Sequence, residues 1–170
     1  VLAHRRVDGL ILSTTREDPR VLRALEALTM PVVLVDRVLS SPAFGKVTVD
    51  NVAASRQGVA HLVEEGHQRI AYLAGPQDIP IMRQRLQGFR EGMAALGLPV
   101  DPHLIRTGDL QVRSGEQLTV ELLRGPARPT AVMAANDLMG IGAMRAARRL
   151  GLRVPDDLAV LGFDDIPLAE

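Results

Sequence analysis

Residues 130–165, TAVMAANDLMGIGAMRAARRLGLRVPDDLAVLGFDD, decide the fold. Thr130–Ala135 is an apolar run of strand length. After Asn136 and Asp137, the apolar residues Leu138, Ile141, Met144, Ala147 and Leu150 recur at the spacing of one helix face. Gly151 stops that helix, Pro155 follows, and Leu158–Gly162 is a second apolar run ending in Phe163-Asp164-Asp165. Two strands joined by a helix form a right-handed parallel unit. Asn136 and Asp164 are therefore expected at one carboxyl edge of one sheet, where open α/β sheets bind ligands.

Working outward, strand and helix keep alternating. Val7–Ser13 is expected as a buried strand after a helix end at Val1–Arg6, and Asp18-Pro19 starts a helix with Asp as cap and Pro at the first position. Val32–Val35 is the next strand and closes with Asp36-Arg37. An irregular segment, Val38–Lys46, leads to a short strand at Val47–Val49. Asp50-Asn51 caps a helix that Gly66 ends, and Ile70–Ala74 is a strand. From Pro80 to Leu96 the apolar residues Met82, Leu86, Phe89, Met93 and Leu96 form one stripe. Leu104–Thr107 is a strand and Arg113–Leu123 a helix. Such alternation implies parallel sheets covered by helices, an α/β fold.

Composition narrows the function. Lys plus Arg equals Asp plus Glu at 20 each, and aromatics are 2%, so neither charge nor stacking points to nucleic-acid binding by this chain. The absence of cysteine excludes disulfides and thiolate chemistry. No apolar run reaches the length of a membrane span, and VLAHRR at 1–6 lacks the pattern of a signal peptide. Gly140 and Gly142 do not make a dinucleotide loop, because Arg145 stands at the third glycine's position and both glycines fall inside the helix; helix-to-strand packing accounts for them. His61 and His67 lie six apart, the wrong spacing for a metal pair on a helix, so His67 is read as structural and no metal site is expected. No nucleophile–base pair or phosphate loop points to an enzyme, and no cofactor is implied.

Several polar residues have two readings each. Asp164 is either a turn residue before Pro167 or a fixed acceptor for ligand hydroxyls. Asn136 can cap the following helix or reach a pocket, and a division with Asp137 as cap and Asn136 in the pocket is favoured. Arg85 lies beside the apolar stripe and can snorkel to a surface or reach a cleft. Asp36 is a surface charge or a cleft carboxylate, and Phe163 is core or a stacking wall.

The runs HLVEEGHQRIAYLAGP (61–76), RLQGFREGMAALGL (85–98) and AVMAANDLMGIGAMRAARRLGLRVPDDLAVLGFDD (131–165), with VDGLIL and PVVLVDR upstream, resemble the effector-binding core of LacI/GalR transcriptional regulators. The resemblance implies two Rossmann-like lobes of the type I periplasmic-binding-protein kind. Lobe one, residues 1–49, is expected to be incomplete. Residues 50–165 would form lobe two, and 166–170 would begin a crossover back to lobe one. It also implies a sugar or purine-like effector in the inter-lobe cleft, held by Asp36, Arg85, Asn136, Phe163 and Asp164. Ile81 stands where the family often has a serine, four residues before Arg85, so one hydroxyl contact is missing. A cytoplasmic homodimer is implied, meeting operator DNA only through a helix-turn-helix module that is not in this chain. A periplasmic sugar receptor of a transport system is the alternative.

Overall fold

The computed structural model describes residues 7–13, 18–36 and 41–169. The expected helix end at 1–6, Arg37 and residues 38–40 of the irregular segment lie outside the described residues.

The described residues form two sheets, and every strand pair in them is parallel. The first has the order β1 (Leu10–Leu12), β2 (Val32–Val35), β3 (Gly45–Val47), with α1 (Pro19–Glu26) between β1 and β2. Asp18 caps α1 by accepting from the Arg20 N–H at 2.8 Å, as the Asp-Pro pair led one to expect. The third strand starts two residues before the expected Val47–Val49. Phe44 is buried and anchors its start, whereas Val47 and Val49 are exposed. Residues 48–50 are instead an exposed connection to the second sheet.

The second sheet has the order β5-β4-β6-β7: β4 is Ile70–Ala74, β5 Ile105–Thr107, β6 Ala131–Ala134 and β7 Ala159–Leu161. Its helices are α2 (Asn51–Glu64), α3 (Pro80–Ala95), α4 (Val112–Arg124) and α5 (Asp137–Arg149). Successive side chains of a strand face opposite sides. Ile70, Tyr72 and Ala74 accordingly pack with Val59, Phe89 and Met93 of α2 and α3, while Ala71 and Leu73 pack with Leu122, Met139 and Ala143 of α4 and α5. Every residue of β4 and β6 is buried, the pattern of parallel strands covered on both faces.

The stripe on α3 is buried through Met93, but Leu96 lies past the helix end and is exposed. On α5 the inner face is Met139, Ala143, Ala146 and Ala147, one position round from the expected stripe, and Met144 is exposed. The reason is proximity. A Cβ on Gly142 would run into the Val112 carbonyl oxygen of α4, so α5 faces α4 with a glycine there and keeps Ala143, Ala146 and Ala147 inward beside Met139, with Met144 outward. Gly142 thus serves helix-to-helix packing, not helix-to-strand packing; Gly140, whose Cβ would sit 3.6 Å from Gly162 Cα beyond β7, has the sheet-side role expected of both. Gly142→Ala gains about 1 kcal/mol of helix propensity but must separate two backbones. A net loss of about 2 kcal/mol in urea unfolding is expected, and an unchanged midpoint would show that α4 and α5 can part freely.

His67 follows the α2 stop and its Nδ1 lies 3.1 Å from Thr130 Oγ1, which ties the helix end to the start of β6. The structural reading of this histidine matches that contact.

Candidate functional site

The carboxyl ends of the strands gather the polar residues. β6 runs into Ala135 and Asn136, β7 into Gly162, Phe163 and Asp164, and β2 into Asp36. Asp36 and Asp164 both have left-handed backbone, φ 54° and 117°, which turns the chain sharply at the sheet edge.

Arg85, in the second turn of α3, is the centre of the cluster. It is only 3% exposed, so it does not snorkel to a surface. Its Nε donates to Asn51 Oδ1 at 2.9 Å, and its Nη1 donates to Ala135 O at 2.6 Å and to Asp164 Oδ1 at 3.1 Å. The guanidinium carbon lies 3.6 Å from the centroid of the Phe163 ring, a cation–π contact. Phe163 is half-buried and forms a wall against Arg85 rather than part of the core. The planar fork of the arginine suits this arrangement, since several N–H groups can be fixed while others stay available.

The Asp164 side chain is 40% exposed. Burial pushes its carboxyl above the usual range, the charges of Asp137 and Asp36 push the same way, and Arg85 opposes them by charge and hydrogen bond. The Tyr72 phenol, stacked on Phe89 with centroids 4.7 Å apart, is raised by burial against the opposing pull of Arg85.

Asn136 has the capping role, reversing the division expected with Asp137. Its Oδ1 accepts from Met139 N at 3.1 Å and its Nδ2 donates to Leu110 O at 3.1 Å, so both ends of the amide are engaged by the chain itself. The Asn extended backbone suits a cap, and Asp137 becomes the first helical residue. Asp137 is buried; its N–H donates to Phe163 O and its Oδ2 accepts from Ile166 N, both at 2.9 Å. It therefore holds the 163–166 turn that carries Phe163 and Asp164. Asn51 and Asp137 were missed as site residues because each follows or forms a capping pair. The signal was present in the pairs Asp50-Asn51 and Asn136-Asp137, since only one member of each can cap. Ile81 is buried in the core and brings no hydroxyl to the cleft.

The chemistry available is hydrogen bonding: a carboxylate acceptor, a guanidinium donor and an aromatic face. No group of three or more metal-ligating side chains exists among the described residues. Nor is any helix there long and apolar enough to cross a membrane. A groove of about 640 Å³ runs elsewhere, along α5 and β7, with Ile141, Met144, Leu152 and Val160 in its walls.

Residues 59–170 match the model of a periplasmic-binding-protein-like domain. The chain is 41% identical over 171 residues to the HTH-type transcriptional regulator CelR of Thermobifida fusca, covering 99% of this chain and 50% of the relative. Among solved structures it is similar to a CelR–cellobiose complex, at 42% identity and TM-score 0.84 over 96% of this chain and 51% of that one. A LacI transcriptional regulator from a Rhodococcus species superposes with TM-score 0.90 at 36% identity, over 99% of this chain and 62% of that one. The chain spans about half the length of the curated relatives it matches. With its alternating parallel architecture and the polar cluster at the strand ends, the chain belongs to the periplasmic-binding-protein-like domain family, in the form carried by the LacI/GalR regulators.

Proposed function

We propose that this chain is the effector-sensing part of a LacI/GalR-type transcriptional regulator that acts as a repressor. Residues 1–49 belong to a first lobe and 50–165 to a second, with 166–170 starting the return crossover. A sugar fills the cleft between them. The observation that carries this reading is Arg85: a buried guanidinium fixed from behind by Ala135 O and Asn51, paired in front with Asp164 and flanked by Phe163. Sugar hydroxyls donate to the Asp164 and Asp36 carboxylates and accept from Arg85, while an apolar sugar face rests on Phe163. Asn136 borders this site and shapes it through the Leu110 turn. Cellobiose is the first probe, because the CelR relative was solved with it.

Contacts from both lobes exist together only in the closed arrangement, so ligand shifts an open–closed equilibrium. In the full-length homodimer, in the cytoplasm, that shift alters operator binding by a helix-turn-helix module outside this chain. The cluster offers hydrogen-bonding groups without a nucleophile–base pair, which supports sensing rather than catalysis. The relatives matched over nearly the whole chain are transcription regulators, and none of those compared favours an exported receptor.

Calorimetry on the full-length protein with cellobiose, monosaccharides and purine bases tests the effector class. Binding of one sugar with at least a tenfold change in operator affinity is expected. A purine that binds while every sugar fails would overturn the sugar assignment, and binding with no effect on DNA would overturn the regulatory one.

A further inference from the structure

We propose that Asn51 is a positioning residue that couples Arg85 to the 48–50 connection between the two sheets. The inference rests on Arg85 being the ligand-contacting group, and it names how that contact is passed on. Asn51 is 1% exposed, at the first position of α2. Its Oδ1 accepts from Arg85 Nε at 2.9 Å; its Nδ2 donates to Val49 O at 3.0 Å and to Gln84 Oε1 at 3.3 Å. One rigid, planar amide therefore joins the guanidinium to a carbonyl of the connection.

The bland alternative is that Asn51 only satisfies a buried donor. A backbone carbonyl does that for Nη1, where Ala135 O suffices. An asparagine adds a donor on the far side, and here that donor holds the connection. The connection has little else to hold it at this point. Val49 is 54% exposed, and a cavity of about 350 Å³ is bounded by Thr48, Val49, Asp50 and Gln84. Downstream, Asp50 is fixed, because its carboxylate caps α2 at Ala53 N, 2.9 Å away. A guanidinium is planar, so turning its Nη groups toward a ligand also turns its Nε–H. The Asn51 amide must follow or lose the bond, and either response reaches Val49 O.

The test is cleavage of the Val49–Asp50 bond in the full-length protein by an endoproteinase that cuts before aspartate, followed by mass spectrometry, with the bond before Asp101 as an internal reference. Asn51→Ala is expected to speed the Val49–Asp50 cut about tenfold, the factor that goes with losing the hydrogen bond to Val49 O together with its anchor on Arg85. Arg85→Lys, which keeps the charge but moves the donor, is expected to speed it similarly. Asp164→Asn is the gentler arm, made at a half-exposed side chain, and should speed the cut several-fold in the wild-type background and not at all in Asn51→Ala. If Arg85→Lys and Asp164→Asn leave the cut at the wild-type rate while Asn51→Ala speeds it, Asn51 is local structure and the coupling is refuted. Saturating cellobiose should slow the cut in wild type and not in Asn51→Ala; equal protection of both overturns the coupling. Should cellobiose fail to bind, the sugar that does bind takes its place, and the ligand-free comparison still decides the coupling.

Discussion

Arg85→Ala is expected to abolish sugar binding and to lower the unfolding free energy of the full-length protein by about 3 kcal/mol. Both effects have one source. The side chain is 3% exposed and satisfies Asn51 Oδ1 and Ala135 O, two acceptors that keep their need for a donor when it is removed. Each buried orphan costs about 1–3 kcal/mol. The partner carboxylate does not add the larger penalty of a stranded buried charge, because Asp164 is 40% exposed and remains hydrated. Denaturant unfolding measures the stability loss, and calorimetry measures the binding. A loss under about 1 kcal/mol would mean that water enters and takes over the donor role.

Asp164→Asn should separate the two effects. Sugar affinity is expected to fall about a hundredfold, since a charged acceptor contributes more than a neutral amide. Stability at neutral pH should be unchanged or slightly higher. The sign follows from the carboxyl being raised in the folded protein, chiefly by burial, with Asp137 and Asp36 adding to it. A raised group binds its proton more tightly when folded. Its favourable contribution is complete below the ordinary carboxylate range and is lost as pH rises through the raised value. The variant has no such loss, so its melting temperature should gain on wild type as pH climbs from 3 to 7. Wild-type sugar binding should weaken as pH falls through the same interval. A variant that loses ground with rising pH would show that attraction to Arg85 outweighs desolvation.

Much of this architecture was legible because its signals were local. Pro80 at a helix start and the buried stripe through Met93 both act within one segment. The choice of strands followed from short apolar runs bounded by turn residues, and β4 and β2 fell where those runs lie. What escaped was set by contacts between segments. The inner face of α5 depends on how near α4 comes, which the spacing of Leu138, Ile141 and Met144 does not contain. Likewise, Asn136 and Asp137 are both good caps, and the turn at 163–166 decides between them by engaging Asp137. Arg85 looked like a candidate only by resemblance. Its burial comes from three separate parts of the chain, at Asn51, at Ala135 and at Phe163-Asp164.

The carboxylates of Asp36 and Asp137 both raise Asp164, while Arg85 is the cation that opposes them. Three negative groups against one positive leave a local excess of two negative charges when all are ionised. On the proposed reading, that excess acts as a filter on what may enter. A neutral sugar brings hydroxyls that relieve the crowding by donating to it, whereas a phosphorylated sugar would bring its charge into a repelling field. Selection between a sugar and its phosphate ester would then precede any detailed fit, and a protein built this way would report on unmodified sugar even where the phosphorylated form is more abundant.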